Sequence, residues 1–191
     1  QYELGGRYKS KWINVAPSFV ASNILLSRET YLRTLGLNIL MDRQITKKVS
    51  GFMNFRYDYQ RYSGISENTT GAQRKGPEYD YLWGISYAPV STMRIIPSIG
   101  YTNKNAKSRF DGYDRFNLNL THTWALWRGT FLINTANLYF DRYDEPETAI
   151  AGRFRHDKIF RYRVTAGAPL SALGLGKVMP KMMRDIVFTL S

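Results

Sequence analysis

Residues 114–124, DRFNLNLTHTW, decide how this chain is read. Phe116, Leu118, Leu120, His122 and Trp124 fall on one side of a two-residue repeat, and Asn117, Asn119, Thr121 and Thr123 on the other. A 3.6-residue helical period would mix the two sets, whereas an extended strand separates them. The same separation recurs outward in both directions. It runs through VSGFMNFRYDY (49–59), YDYLWGISYA (79–88), IFRYRVTAGA (159–168) and the opening residues from Tyr2 to Trp12. Looser alternation predicts strands at 31–41, 93–102, 130–141 and 186–190, about nine antiparallel strands in one all-β domain over 1–191.

The connections carry a second signal. Short links are expected at 42–47, 88–92 and 126–129, and longer polar ones at 17–29, 63–77, 104–112 and 144–157. A moderately long link at 171–184 breaks the alternation. Short turns at one end and long loops at the other are the habit of transmembrane barrels, with the short turns periplasmic. Aromatic residues cluster near the expected strand ends: Tyr31, Tyr59, Tyr62, Tyr79, Tyr87, Tyr101, Trp124, Trp127 and Tyr143. Rings with a polar tip settle at membrane–water boundaries and form girdles there.

Composition is compatible with this. The 191 residues include 14 tyrosines, aromatics make up 15%, and there is no cysteine, which excludes disulfides and thiolate metal sites. No apolar run reaches the ~20 residues of a membrane helix, but barrel strands escape hydropathy averages because only alternate residues meet lipid. The opening QYELGGRYKSKW has no leader pattern, so an exported chain of this kind is expected to have lost its leader or to be an internal piece. An odd, ninth strand at 186–190 would leave backbone unpaired in hydrocarbon, at several kcal/mol per group. The expectation is therefore a wall belonging to a larger barrel.

Segments 30–64 and 78–107, TYLRTLGLNILMDRQITKKVSGFMNFRYDYQRYSG and EYDYLWGISYAPVSTMRIIPSIGYTNKNAK, resemble the strand–turn–strand units of bacterial outer-membrane β-barrel proteins. The chain is also faintly similar to the barrels of tetratricopeptide-linked outer-membrane proteins, such as surface lipoprotein assembly modifiers. The resemblance implies a bacterial outer-membrane location, with lipid and lipopolysaccharide around the wall and periplasmic or envelope proteins as partners. It implies a pore, an exporter or secretion component, or an envelope-assembly scaffold. An outer-membrane lipid hydrolase and a soluble ligand-binding barrel are the alternatives.

Formal charge is +12, from 27 Lys and Arg against 15 Asp and Glu. On the expected lumen side lie Arg7, Lys9, Lys11, Arg56, Arg161 and Arg163, with Glu3, Asp58 and Asp80 as acidic partners. Such a lining either favours anions or forms an internally paired network. A second basic group, Lys104, Lys107, Arg109, Arg74 and Lys75, is expected on long loops. Nucleic acid is not expected as a partner, because aromatics and strand cations occupy opposite faces. No cofactor or metal is expected. Of the two histidines, neither His122 nor His156 has a serine two residues on, and no catalytic residue is assigned. The acidic run Asp141, Asp144 and Glu145 lacks EF-hand spacing, and Gly174, Gly176 and Lys177 lack Walker spacing.

Overall fold

The computed structural model describes residues 2–26, 29–62, 74–107, 109–146, 152–169 and 187–190. Its strands are β1 (Tyr2–Gly5), β2 (Tyr8–Lys9), β3 (Asn14–Leu26), β4 (Glu29–Gln44), β5 (Val49–Tyr62), β6 (Gly76–Tyr87), β7 (Met93–Lys104), β8 (Tyr113–Ala125), β9 (Phe131–Tyr143), β10 (His156–Pro169) and β11 (Val187–Leu190). All join one antiparallel sheet in the order β1, β3, β4 and onward to β11. β1 and β2 lie end to end along β3, with Tyr2 opposite Ala21 and Tyr8 opposite Val15. They form one edge strand interrupted at Gly6 and Arg7, so the wall has ten strands among the described residues. Helix among the described residues is confined to short turns such as Arg109–Asp111 and Trp127–Gly129. β1 and β11 are not paired with each other among the described residues, so the sheet is open.

The stretch expected to be a loop at 17–29 is instead most of β3. Pro17 and the Ser, Ala and Asn residues around it hide the alternation, since proline reads as a strand breaker. The period is nevertheless two: Phe19 is 70% exposed while Val20 beside it is 4% exposed. The Pro17 carbonyl still accepts from the Gly6 amide, at 3.1 Å. This added strand brings the count among the described residues to ten rather than nine. It also shortens the first long-end link to 27–28. From β4 to β10 the length asymmetry holds, with 45–48, 88–92 and 126–130 at one end and 63–75, 105–112 and 144–155 at the other.

Register sets the two faces. Phe55, Tyr81, Tyr101, Phe116 and Phe140 form one row across β5 to β9. Ring centroids along it lie 5.1 Å apart for Phe55–Tyr81, and 6.4 Å for both Tyr81–Tyr101 and Phe116–Phe140. The adjoining row holds Trp83, Ile99, Leu118, Leu138 and Phe160, and all of these are exposed. The opposite face is the enclosed one, and it is polar. Buried there are Ser18, Thr34, Asp58, Thr102, Lys104 and Asp141; Val20 is the single buried hydrophobic among the described residues. This inverts a water-soluble sheet, where each large apolar side chain left exposed forgoes ~1.5–3 kcal/mol of burial.

Candidate functional site

The polar face toward the long-loop end carries a belt of interleaved charges. Antiparallel register places Asp58, Glu78 and Lys104 in one row of β5, β6 and β7. The next row toward the sheet centre holds Arg56, Asp80, Thr102, Arg115 and Asp141. Alternation delivers each of these side chains to the same face, and cross-strand spacing brings unlike charges together.

The contacts are short. Arg56 donates from Nε to Asp58 Oδ2 at 2.6 Å. The Thr102 hydroxyl donates to Asp80 Oδ1 at 2.6 Å. Lys104 Nζ donates to Gln60 Oε1 at 2.8 Å, lies 3.7 Å from Glu78 Oε2, and stands 5.5 Å from the Tyr62 ring centre. Because Gln60 is on β5 and Lys104 on β7, this amine bridges across β6. Arg115 meets Asp141 through two parallel hydrogen bonds, and its guanidinium lies 5.0 Å from the Tyr113 ring centre and 5.2 Å from that of Tyr139. Three buried acceptors, Asn38 Oδ1, Asn54 Oδ1 and Asp58 Oδ1, have no donor among the described protein groups. Buried acceptors of this kind are ordinarily met by water or ligand donors.

The residues singled out from the sequence divide into four places. Arg56, Asp58 and Asp80 join the belt. Glu3, Arg7 and Lys9 lie at the β1–β2 edge; Glu3 accepts from the Ser18 hydroxyl at 2.5 Å, and Arg7 reaches Asp42 at 3.2 Å. Lys11 falls in the turn after β2 and is exposed. Arg161 and Arg163 are exposed on the polar face of β10, Arg161 stacking 5.4 Å from the Tyr139 ring centre. Lys104 is a correction: it is not a loop cation but the last residue of β7, 8% exposed. Arg74 and Arg109, by contrast, are on connections and pair with Asp111 at 3.4 Å and Glu145 at 3.3 Å. Sequence reasoning missed Gln60, Glu78, Thr102, Arg115 and Asp141 as belt members. Arg115 sits at an alternating polar position of the very stretch that decides the fold, and that signal was sufficient to find it.

The aromatic set also divides. Tyr59, Tyr79, Tyr87, Tyr101 and Trp124 lie on the apolar face, and Trp127 lies in the turn after β8. Tyr62 and Tyr143 do not join them. Both lie on the polar face, where Lys104 stacks on Tyr62 and Arg155 on Tyr143 at 4.6 Å, and Tyr31 packs edge-on against Tyr62. Strand ends were legible, but the side on which a terminal residue emerges depends on register.

His122 lies on the apolar face, with Asn134 Nδ2 3.4 Å from its Nδ1. His156 and Asp157 emerge on opposite faces, opposite Arg142 and Asp141 respectively. The Asp141 and Glu145 side chains diverge to Arg115 and Arg109, and the Asp144 amide donates to the Gly112 carbonyl at 3.1 Å. Gly174, Gly176 and Lys177 lie outside the described residues. Comparison of the chain with protein-family models, with curated proteins and with solved structures gives no match.

Proposed function

We propose that this chain forms an outer-membrane β-barrel whose apolar face meets lipid and whose polar face lines a water-filled lumen. The lumen serves as a pore or as the conduit of an exporter or secretion component, and the same wall can scaffold an envelope assembly. The observation that carries this reading is the inversion of the sheet. Its enclosed side chains, apart from Val20, are Asp, Lys, Ser and Thr, while Leu118, Leu120, Trp83 and Phe160 are exposed on the other face. Hydrocarbon removes the cost of that exposure, and a wet lumen supplies hydrogen-bond partners to the polar side.

Ten strands have the right parity for closure. β11 runs antiparallel to β1 and β2, so pairing them would leave no open edge in lipid. On β8 the apolar face from Phe116 to Trp124 extends ~27 Å at ~3.4 Å per residue. At a tilt of 35–45° this projects to about 20 Å, close to the apolar band of such barrels. The short turns then face the periplasm and the long loops the lipopolysaccharide side.

The belt is largely self-neutralised, whereas Arg94, Arg161 and Arg163 add positive charge along the rest of the polar face. The lumen therefore prefers anions. Single-channel recording of the reconstituted chain tests this. The expected result is steady conductance with a reversal potential on the anion side under a KCl gradient. A folded, inserted barrel that does not conduct would remove the pore reading, and a chain extracted without detergent would remove the membrane reading.

A further inference from the structure

We infer that Arg33 and Arg61 form a binding site for the phosphate of an anionic membrane lipid. The inference rests on the barrel reading and names a ligand for its outer surface. Arg33 of β4 and Arg61 of β5 are direct cross-strand partners. Such partners stand about 4.5–5.5 Å apart at Cα and share a face of the sheet. Their neighbours along the strands, Thr34 and Gln60, belong to the polar face, so the two guanidiniums emerge on the apolar face. Both residues are exposed.

Like charges directly opposite one another destabilise a strand pair. Among the described residues no ion pair involves either guanidinium. The position also defines the ligand. One row toward the sheet centre, Leu35 faces Tyr59, and Leu35 is 66% exposed. The apolar band thus begins immediately beneath the two cations. Asn23 of β3, opposite Arg33, continues the same row with a further polar side chain. An anion that lies between the arginines while its remainder lies along Leu35 and Tyr59 must be amphiphilic. Guanidinium forks match phosphate oxygens two at a time, and one phosphate between them converts repulsion into two attractions.

The test uses the full chain reconstituted into phosphatidylcholine vesicles doped with phosphatidic acid. Lipid retention is read by native mass spectrometry after release into mild detergent. Insertion is scored separately by protease protection. The wild type should retain phosphatidic acid over phosphatidylcholine, and the R33A/R61A variant should retain it about tenfold less at unchanged insertion. The R33K/R61K variant keeps the charge but loses the fork, and should fall between them. Equal retention by wild type and R33A/R61A would overturn the lipid site while leaving the barrel reading intact. Displacement of the lipid by millimolar inorganic phosphate would overturn the lipid as the source of the anion. A chain that fails to insert would overturn the barrel reading first, and this site with it.

Discussion

Arg115 and Asp141 face each other across β8 and β9 as a two-pronged pair. Nε lies 2.7 Å from Oδ1 and Nη2 lies 2.6 Å from Oδ2, with the carboxylate side chain only 1% exposed. Removing the cation leaves a buried charge with its strongest partner gone. Arg115→Ala should cost about 3 kcal/mol of folding stability. Arg115→Lys should cost less, because charge is retained and only the fork geometry is lost. Urea unfolding from lipid vesicles, followed by tryptophan fluorescence, checks both.

The two faces of β8 should respond in opposite ways to the same substitution. Leu120 is 47% exposed in the apolar band, and Asn119 is its neighbour on the polar side. In a bilayer Leu120→Arg should cost about 2–4 kcal/mol, whereas Asn119→Arg should cost little and shift conductance instead. Equal, small effects on stability would place both residues in water.

The turn between β8 and β9 offers a backbone test. Arg128 has φ 53° and Gly129 φ 80°, both in the left-handed region. A side chain carried there is strained by about 1–2 kcal/mol. Arg128→Gly should therefore relieve strain and leave stability unchanged or slightly higher, and Gly129→Ala should lower the unfolding midpoint. Comparing the two midpoints decides whether this turn is formed as described.

Asp144, on the connection after β9, has a pKa raised above the ordinary carboxylate value, first by desolvation and next by the nearby Asp114, with Arg109 opposing. A raised folded-state pKa means that the native state binds this proton more tightly than the unfolded chain does. Stability from this group is therefore greatest below the usual carboxylate range and declines as pH rises through the raised value. Asp144→Asn should be slightly more stable than wild type at neutral pH, with the difference vanishing in acid. Parallel thermal melts at pH 3 and pH 7 measure it.

Legibility from sequence followed the strictness of alternation. β8 could be read residue by residue because Phe, Leu and Leu alternate with Asn, Asn and Thr. β3 could not, because Pro17, Ser22 and Asn23 suppress the contrast between faces, and one missed strand changed the count from even to odd. The belt was half legible. Arg56, Asp58 and Asp80 announce themselves within single strands, but Lys104 joins Gln60 and Glu78 only through the pairing of β5, β6 and β7. Side-chain identity along one strand contains no record of which row its neighbours occupy. The same gap misplaced Tyr62 and Tyr143.

Gly36 shows how tightly that pairing is specified. A Cβ added there would collide with the Tyr57 carbonyl oxygen and with Asp58 Oδ1. Gly36→Ala should therefore displace the Asp58 carboxylate from Arg56 and destabilise the β4–β5 hairpin by about 1–3 kcal/mol, measurable in the same urea titration.

The order of the strands has a kinetic consequence. From β3 to β11 every ladder joins a strand to its immediate successor, so each ladder can start by closing a loop of one connection and then zip outward from the turn. Loop-closure entropy is then met in small instalments, and the sheet can grow hairpin by hairpin from any nucleus along its length. In the closed barrel proposed above, a seam between Val187–Leu190 and Tyr2–Gly5 would join the two outermost strands of the sheet, and it is the one contact that such growth could not reach locally. Its formation would be the slow step of assembly, and the step that an insertion machinery would have most reason to catalyse.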